Sequence, residues 1–243
     1  MKALRVLLML AAFSAAANAV AADIRADMAA LDRAYIPVYA LTSERVWDQA
    51  RKAIRLTFRA WQEFEDNYRD AKSTDAASRA DLARVRALLY DANAVLEGPQ
   101  PELALEPLKR IRTVMAGLRQ RKGIEYYLDD LVAFSEPMES IAAADAVAKV
   151  RAQFPAAKQA WQRVAQTEPG SAFGFGAAQR EELGRRRDAQ TAALGALETA
   201  LAGNDSAAIM AAAAAIKPPF DRVYYFFGDF HALMWVEPPP AKR

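Results

Sequence analysis

The residues best suited to specific chemistry lie in one stretch near the C-terminal end. Residues 216–235 contain the only histidine, His231, a tyrosine pair and several other aromatic side chains. On a helix, His231 would share a face with Tyr224, Phe227 and Met234, which would suit an axial metal ligand in an aromatic pocket. The alternative is a histidine at the edge of an aromatic seam, hydrogen-bonded or solvated.

Two tyrosine pairs are the other candidates for ligand binding. Tyr126 and Tyr127 form the first pair, and Tyr224 and Tyr225 form the second. A tyrosine ring is apolar but carries one polar group, so such side chains can line a pocket and orient its contents. Together with Phe227 they are the predicted ligand-binding or partner-binding residues. The alternative is that these rings fill and cap a bundle end.

The carboxylate-rich segment 129–139 does not indicate a metal site. Asp130 and Glu136 are not three or four residues apart, and no Glu-x-x-His accompanies them, so the di-iron bundle pattern is missing. A tetrahedral zinc site would need several carboxylates beside the single histidine. We therefore interpret this segment as a solvated helix end and predict no metal site.

Two basic clusters are interpreted in the same way. Lys109-Arg110-x-Arg112 and residues 185–187 are predicted to be solvated helix faces, with partners such as Glu181 and Glu182. The sequence has no Ser-His-Asp arrangement, phosphate loop or dinucleotide-binding glycine pattern. No catalytic residue is predicted, and the chain is expected not to be an enzyme.

The N-terminal end predicts export. Residues 1–21 have a positive start, a short apolar run and small residues before Ala19 and Ala21, which is typical of a signal peptide. Cleavage after either alanine would leave no membrane span and place the mature chain in a bacterial periplasm. The mature chain would carry 30 basic and 30 acidic residues, which argues against a nucleic-acid partner. The absence of cysteine excludes disulfides, thiol catalysis and covalent haem attachment.

The hydrophobic pattern predicts an all-α fold. Alanine is abundant, and apolar residues recur at alternating spacings of three and four. A first short helix is expected over about 23–34, ended by the segment 35–39 that contains a proline. Pro137 is expected in the first turn of a later helix. The last helix is expected to continue from Ile209 to Phe230.

A weak internal repeat indicates a duplicated antiparallel helical bundle. Residues 88–115 align with residues 193–220 at an offset of 105, Trp61 aligns with Trp161 at 100, and the tyrosine pairs align at 98. The expected division is a first repeat over 22–136 and a second over 137–243, which ends in a proline-rich tail. The halves could form two bundles or one longer one.

Some segments resemble the small periplasmic b-type cytochromes and the cytochrome c-prime-like four-helix bundles. The mature start Ala22-Asp-Ile-Arg-Ala-Asp-Met28 is similar to the start of the b-type members, whose methionine binds haem iron. Residues 196–217 are similar to their last helix hairpin. At the position of the family's histidine ligand this chain has Tyr224. The resemblance implies a bundle and, if haem is bound, Met28 and His231 as ligands or Tyr224 as a replacement.

Two functions are therefore expected. The first is a non-enzymatic accessory or binding protein that engages a periplasmic protein or a small-molecule ligand, with no cofactor. The alternative is a non-covalent haem protein for electron transfer or haem handling.

Overall fold

The computed structural model describes residues 24–69 and 75–235, and these contain helices and turns but no strand. The prediction of an all-α fold is confirmed. The signal segment 1–21 and the end of the proline-rich tail lie outside the described residues. The helices are α1 over residues 24–43, α2 Trp47–Arg69, α3 Ala76–Glu97, α4 Leu105–Arg121, α5 Tyr127–Ala142, α6 Val147–Gln166, α7 Ala177–Ala202, α8 Ser206–Ala215 and α9 Lys217–Tyr225, with short 3-10 helices at Pro101–Ala104, Ser171–Phe173 and His231–Trp235.

The first helix is longer than predicted because Pro37 does not end it. A proline inside a helix has no N–H to bond the carbonyl four residues earlier, which here belongs to Arg33. The backbone N–H of Asp229 donates to that carbonyl oxygen at 2.8 Å. The C-terminal turn thus replaces the donor that Pro37 lacks, and α1 continues to residue 43.

Gly228 allows this turn to approach α1. A Cβ atom at Gly228 would lie 2.9 Å from Ile36 Cγ2 and 3.0 Å from Pro37 Cδ. Contacts this short do not occur in folded proteins without movement of the neighbouring groups. The close packing of the turn on α1 therefore depends on the missing side chain.

Pro137 is also inside a helix, so its predicted place in a first turn is wrong. It lies within α5, which runs without interruption across the expected division between residues 136 and 137. The tyrosine pairs do not correspond as predicted either. Tyr127 is the first residue of α5, whereas Tyr225 is the last residue of α9.

The expected long last helix is divided into three pieces. The first, α8, ends at Ala215, the second is α9, and a turn then leads to the 3-10 helix that begins at His231. His231 consequently does not share a continuous helix with Tyr224 and Phe227, and its side chain is exposed. The predicted single aromatic face with His231 at its end is therefore wrong.

The helices pack around one core. Close neighbour pairs are α2 with α3, α3 with α4, α5 with α6, and α7 with α8 and α9. Buried apolar side chains from Met28 in α1 to Leu233 near the C-terminal end form a single connected cluster. In the described residues, no helix is both long enough and apolar enough to cross a bilayer.

Candidate functional site

A buried polar cluster lies at the centre of this core and is organised by two arginines of α4. Arg112 and Arg119 are seven residues apart, which places them on one face of the helix two turns apart. That face also carries Leu108, Met115 and Leu118, all buried. Only 8% of Arg112 and 3% of Arg119 is exposed. The interpretation of Lys109-Arg110-x-Arg112 as a wholly solvated cluster is therefore wrong at Arg112.

The charge of Arg119 has a carboxylate partner on the side that faces α5. Its Nε atom donates to Asp129 Oδ2 at 2.8 Å, and its Cζ atom lies 4.5 Å from the centroid of the Tyr126 ring. The hydroxyl of Tyr126 in turn donates to Asp32 Oδ2 at 2.7 Å. Asp129 is therefore a half-buried partner of a buried arginine, which corrects its interpretation as part of a solvated helix end.

The environment of Asp32 disfavours ionisation of its carboxyl group. Burial raises its pKa to about 6, and the nearby positive charge of Arg119 and the hydrogen bond from Tyr126 offset only part of the effect. The neighbouring negative charge of Asp129 adds to the increase. Asp32 can therefore gain or lose a proton near neutral pH.

Arg112 has aromatic neighbours instead of a carboxylate. Its Cζ atom lies 4.2 Å from the centroid of the Tyr39 ring and 5.4 Å from that of the Tyr224 ring, which are distances of cation–π contacts. Burial raises the pKa of Tyr224 to about 12, so the phenol is neutral at neutral pH. No ion pair within the described residues includes Arg112, and its Nε and Nη1 atoms have no hydrogen-bond partner there.

A small internal cavity lies beside these side chains. Its volume is about 20 Å³, and its wall includes Asp32, Trp61, Arg112, Arg119 and Tyr224. The indole Nε1 of Trp61 and the Nη1 of Arg119 are buried and, like two nitrogens of Arg112, have no partner among the described residues. The unpaired polar atoms of these three cavity-lining residues are all N–H donors.

A much larger cleft opens on the other side of the Arg119–Asp129 pair. It has a volume of about 1380 Å³ and lies between the ends of α4 and α6, the start of α5 and the loop that follows α6. Tyr126 and Tyr127 are part of its lining, each with little exposed surface. The hydroxyl of Tyr127 lies beside Arg187 but has no hydrogen-bond partner in the described structure. Tyr126 connects the two spaces because its hydroxyl reaches Asp32.

The structure brings part of the predicted site together. The rings of Tyr127 and Phe227 lie 5.4 Å apart, and Phe173 lies 4.9 Å from Phe227 and 5.5 Å from Tyr126. Tyr224 is not in this group, since it packs with Tyr39 against Arg112.

The residues proposed for haem ligation have different environments. Met28 is fully buried in α1, whereas His231 is exposed at the start of a 3-10 helix. Neither residue lines the small cavity or the large cleft. In the part of the chain that the structure describes, no group of three histidine or carboxylate side chains could hold a metal ion.

Sequence reasoning missed Asp32, Trp61, Arg112 and Arg119. One signal was present, because Arg112 and Arg119 interrupt the apolar face of α4 at positions where leucine or methionine would fit the pattern. Comparison with known proteins adds no further assignment. No protein-family model, curated protein or solved structure matches the chain.

Proposed function

We propose that this chain is a non-enzymatic binding protein that takes a small polar molecule into the large cleft. The observation that carries the proposal is the cleft itself, whose volume of about 1380 Å³ exceeds the range of about 300–1,000 Å³ common for small-molecule sites. Both tyrosines of the first predicted pair, Tyr126 and Tyr127, are in its lining.

The chemistry of the lining favours a polar ligand. The wall combines the carboxylates Asp130 and Glu125 with Arg163, Gln120 and Thr113. Burial raises the pKa of Asp130, while its hydrogen bond with Thr167 and the charge of Arg163 oppose the increase. A ligand with several hydrogen-bonding groups would find both donors and acceptors among these lining residues.

Export to a periplasm remains part of the proposal and rests on the sequence of residues 1–21. The haem-binding alternative also remains a prediction, although the position of its ligands gives it no added support. Addition of hemin to the purified protein distinguishes the haem-binding alternative from binding of a polar molecule in the cleft. A Soret band that is lost on changing His231 or Met28 would favour haem, whereas colourless protein would remove it.

A ligand screen with a blocking variant tests the cleft. Thr113 is exposed in the cleft wall, so Thr113→Trp would fill part of the space without disturbing the core. Arg110 is exposed one turn earlier on α4 and does not line the cleft, so Arg110→Trp is the matched control. We expect polar metabolites that raise the melting temperature of the native protein to have no effect on Thr113→Trp and an unchanged effect on Arg110→Trp.

Two results would contradict the proposal. One is that no member of a broad set of polar metabolites raises the melting temperature of the native protein. The other is stabilisation that survives unchanged in Thr113→Trp. Alanine substitutions of Tyr224 and Phe227 would not be informative, because both side chains are buried in the core and their loss is expected to unfold the protein.

A further inference from the structure

We infer that the small central cavity is a binding site for a monatomic anion of about the size of chloride. The ligand would be held by the unpaired N–H groups of Trp61, Arg112 and Arg119. This site is separate from the cleft and does not depend on the function proposed for it.

The first argument is the chemistry of the wall. Four buried nitrogen atoms on these three side chains lack a partner in the described residues, namely Trp61 Nε1, Arg112 Nε, Arg112 Nη1 and Arg119 Nη1. Leaving a buried donor unsatisfied is costly, and the cost is larger when the donor is charged. A ligand that accepts several hydrogen bonds and donates none matches the chemistry of these donors.

The second argument is the size of the cavity. A space of about 20 Å³ for a probe of water size has room for one particle of that size. A polyatomic anion such as sulfate would not fit. A water molecule would also fit, and it would need acceptors for its two hydrogens, which the cavity wall offers at Asp32 and not at the unpaired atoms of Trp61, Arg112 and Arg119.

The third argument is the charge balance. Arg119 is paired with Asp129, whereas Arg112 contacts Tyr39 and Tyr224 and forms no ion pair within the described residues. An isolated buried guanidinium is unfavourable in a low-dielectric interior. Asp32 in the cavity wall supplies a negative charge only when it is ionised, so a monovalent anion would supply that charge when Asp32 is protonated.

Asp32 couples this site to pH. Its carboxyl group lines the same cavity, and an ionised carboxylate there would repel the anion. Since the pKa of Asp32 is already raised to about 6, the anion should bind together with a proton on Asp32. The charged or titratable groups that face Asp32 or the cavity are Tyr35 on α1, Arg112 and Arg119 on α4, Tyr126 and Asp129 at the start of α5, and Tyr224 on α9.

Halide-dependent thermal unfolding of the full chain provides the test. The melting temperature is measured while chloride or bromide replaces gluconate at constant ionic strength. We expect a rise with halide concentration in the native protein, as for any ligand that binds only the folded state. The rise should begin at lower halide concentration as the pH falls through about 6.

Two tryptophan variants make the test specific. Trp61→Phe removes one unpaired donor and should weaken halide binding about tenfold, as expected for one hydrogen bond to a charged group. Trp161→Phe is the matched control, because the indole Nε1 of Trp161 donates to Thr191 Oγ1 at 2.9 Å. Its halide affinity should be unchanged. The inference would be overturned by a native protein that responds equally to halide and gluconate, or by equal effects of the two substitutions.

Discussion

Trp61 and Trp161 occupy similar places in the two predicted halves of the chain but differ in one hydrogen bond. Each lies in the second helix of its half, α2 or α6, and each is buried. The indole of Trp161 donates to Thr191, whereas the indole of Trp61 has no partner among the described residues and lines the central cavity. Burial of a tryptophan therefore serves the core in both places, while of these two indoles it is that of Trp61 that is an unpaired donor at the cavity within the described structure.

Other features recur in both predicted halves and hold the helices together. Arg51 in α2 donates from Nε to the carbonyl oxygen of Leu96 at 2.8 Å, and Arg151 in α6 donates from Nη1 to that of Leu201 at 2.7 Å. Each contact ties the second helix of a half to the end of its third. An arginine near a helix C-terminus also interacts favourably with the helix dipole.

The ends of the third helices are similar as well. Gly98 and Gly203 follow α3 and α7 with nearly equal backbone angles, φ −86° and −85° and ψ −175° and −179°. A proline lies inside the first helix of each half, at Pro37 and Pro137. These parallels fit a duplication whose second half begins with α5, whereas the sequence-based division placed that start at residue 137. The duplication itself remains a prediction.

The fourth helices differ most. In the first half α4 is continuous and carries Arg112 and Arg119 on its buried face. At an offset of 105 the second half has Lys217 and Tyr224, in a segment that is broken into α8 and α9. The features shared by the halves position the helices, and the features that differ form the buried polar cluster.

The largest expected effect is the loss of the charge at Arg119. Arg119→Met would leave Asp129 and Asp32 without their buried cationic partner and should lower the free energy of unfolding by about 3–5 kcal/mol. Arg112→Met removes a buried charge that has no carboxylate partner and should cost no more than about 1 kcal/mol in halide-free buffer. Urea unfolding of both variants measures the difference. Equal losses would contradict the distinction between the two arginines.

The next prediction concerns Asp32 and pH. Its pKa is about 6 in the folded protein and 3.8 in the reference state, so the folded protein binds this proton more tightly. The contribution to stability is complete below about pH 4 and is lost as the pH rises through about 6. Asp32→Asn should therefore gain stability relative to the native protein as the pH rises, by at most about 3 kcal/mol.

The check for Asp32 is the difference between the two unfolding curves from acidic to neutral pH without halide. Other carboxylates, such as the partnered Asp75, contribute to both proteins and cancel. A difference that does not vary with pH would show that Asp32 titrates normally.

Gly228 tests how the C-terminal turn is held against α1. Gly228→Ala would place a Cβ atom against Ile36 and Pro37 and should lower the free energy of unfolding by about 1–3 kcal/mol. Gly195 in α7 has no atom within 4 Å of its built Cβ, so Gly195→Ala is the matched control. That variant should gain up to about 1 kcal/mol from helix propensity. Chemical denaturation of both variants measures these changes. A Gly228→Ala variant with an unchanged free energy of unfolding would contradict the close packing of the turn on α1.

The smallest expected effect concerns the tryptophan pair. In halide-free buffer Trp161→Phe loses the bond to Thr191 and should cost about 1 kcal/mol. Trp61→Phe loses no hydrogen bond and should be nearly neutral. Differential scanning calorimetry would detect the contrast, and a larger loss for Trp61→Phe would mean that its indole has a partner in solution.

The fold could be predicted from the sequence more fully than the site. Helical periodicity is a local signal, so the all-α class and the gapless offset of 105 were visible without coordinates. The continuity of α1 through Pro37 could not be predicted from the sequence, because it depends on Asp229, which lies far away along the chain. Arg112 was also unpredictable from its cluster, since neighbouring basic residues on a helix point in different directions and only the packing of α4 decides which one is buried.

The tyrosine pairs show the same limit. Their types indicated binding surfaces, and Tyr126 and Tyr127 do line a cleft. Tyr224 instead stacks on an arginine of another helix, a contact between residues more than a hundred positions apart in sequence. Side-chain type predicts what a residue can do, but its neighbours are set by the tertiary fold.

The most direct test of the central claim is anomalous diffraction from crystals of the protein grown or soaked in bromide. Bromide scatters anomalously and can replace chloride in a site of this size. We predict a peak inside the cavity bounded by Trp61, Arg112 and Arg119, and none beside Trp161. A cavity that holds only water under these conditions would contradict the account.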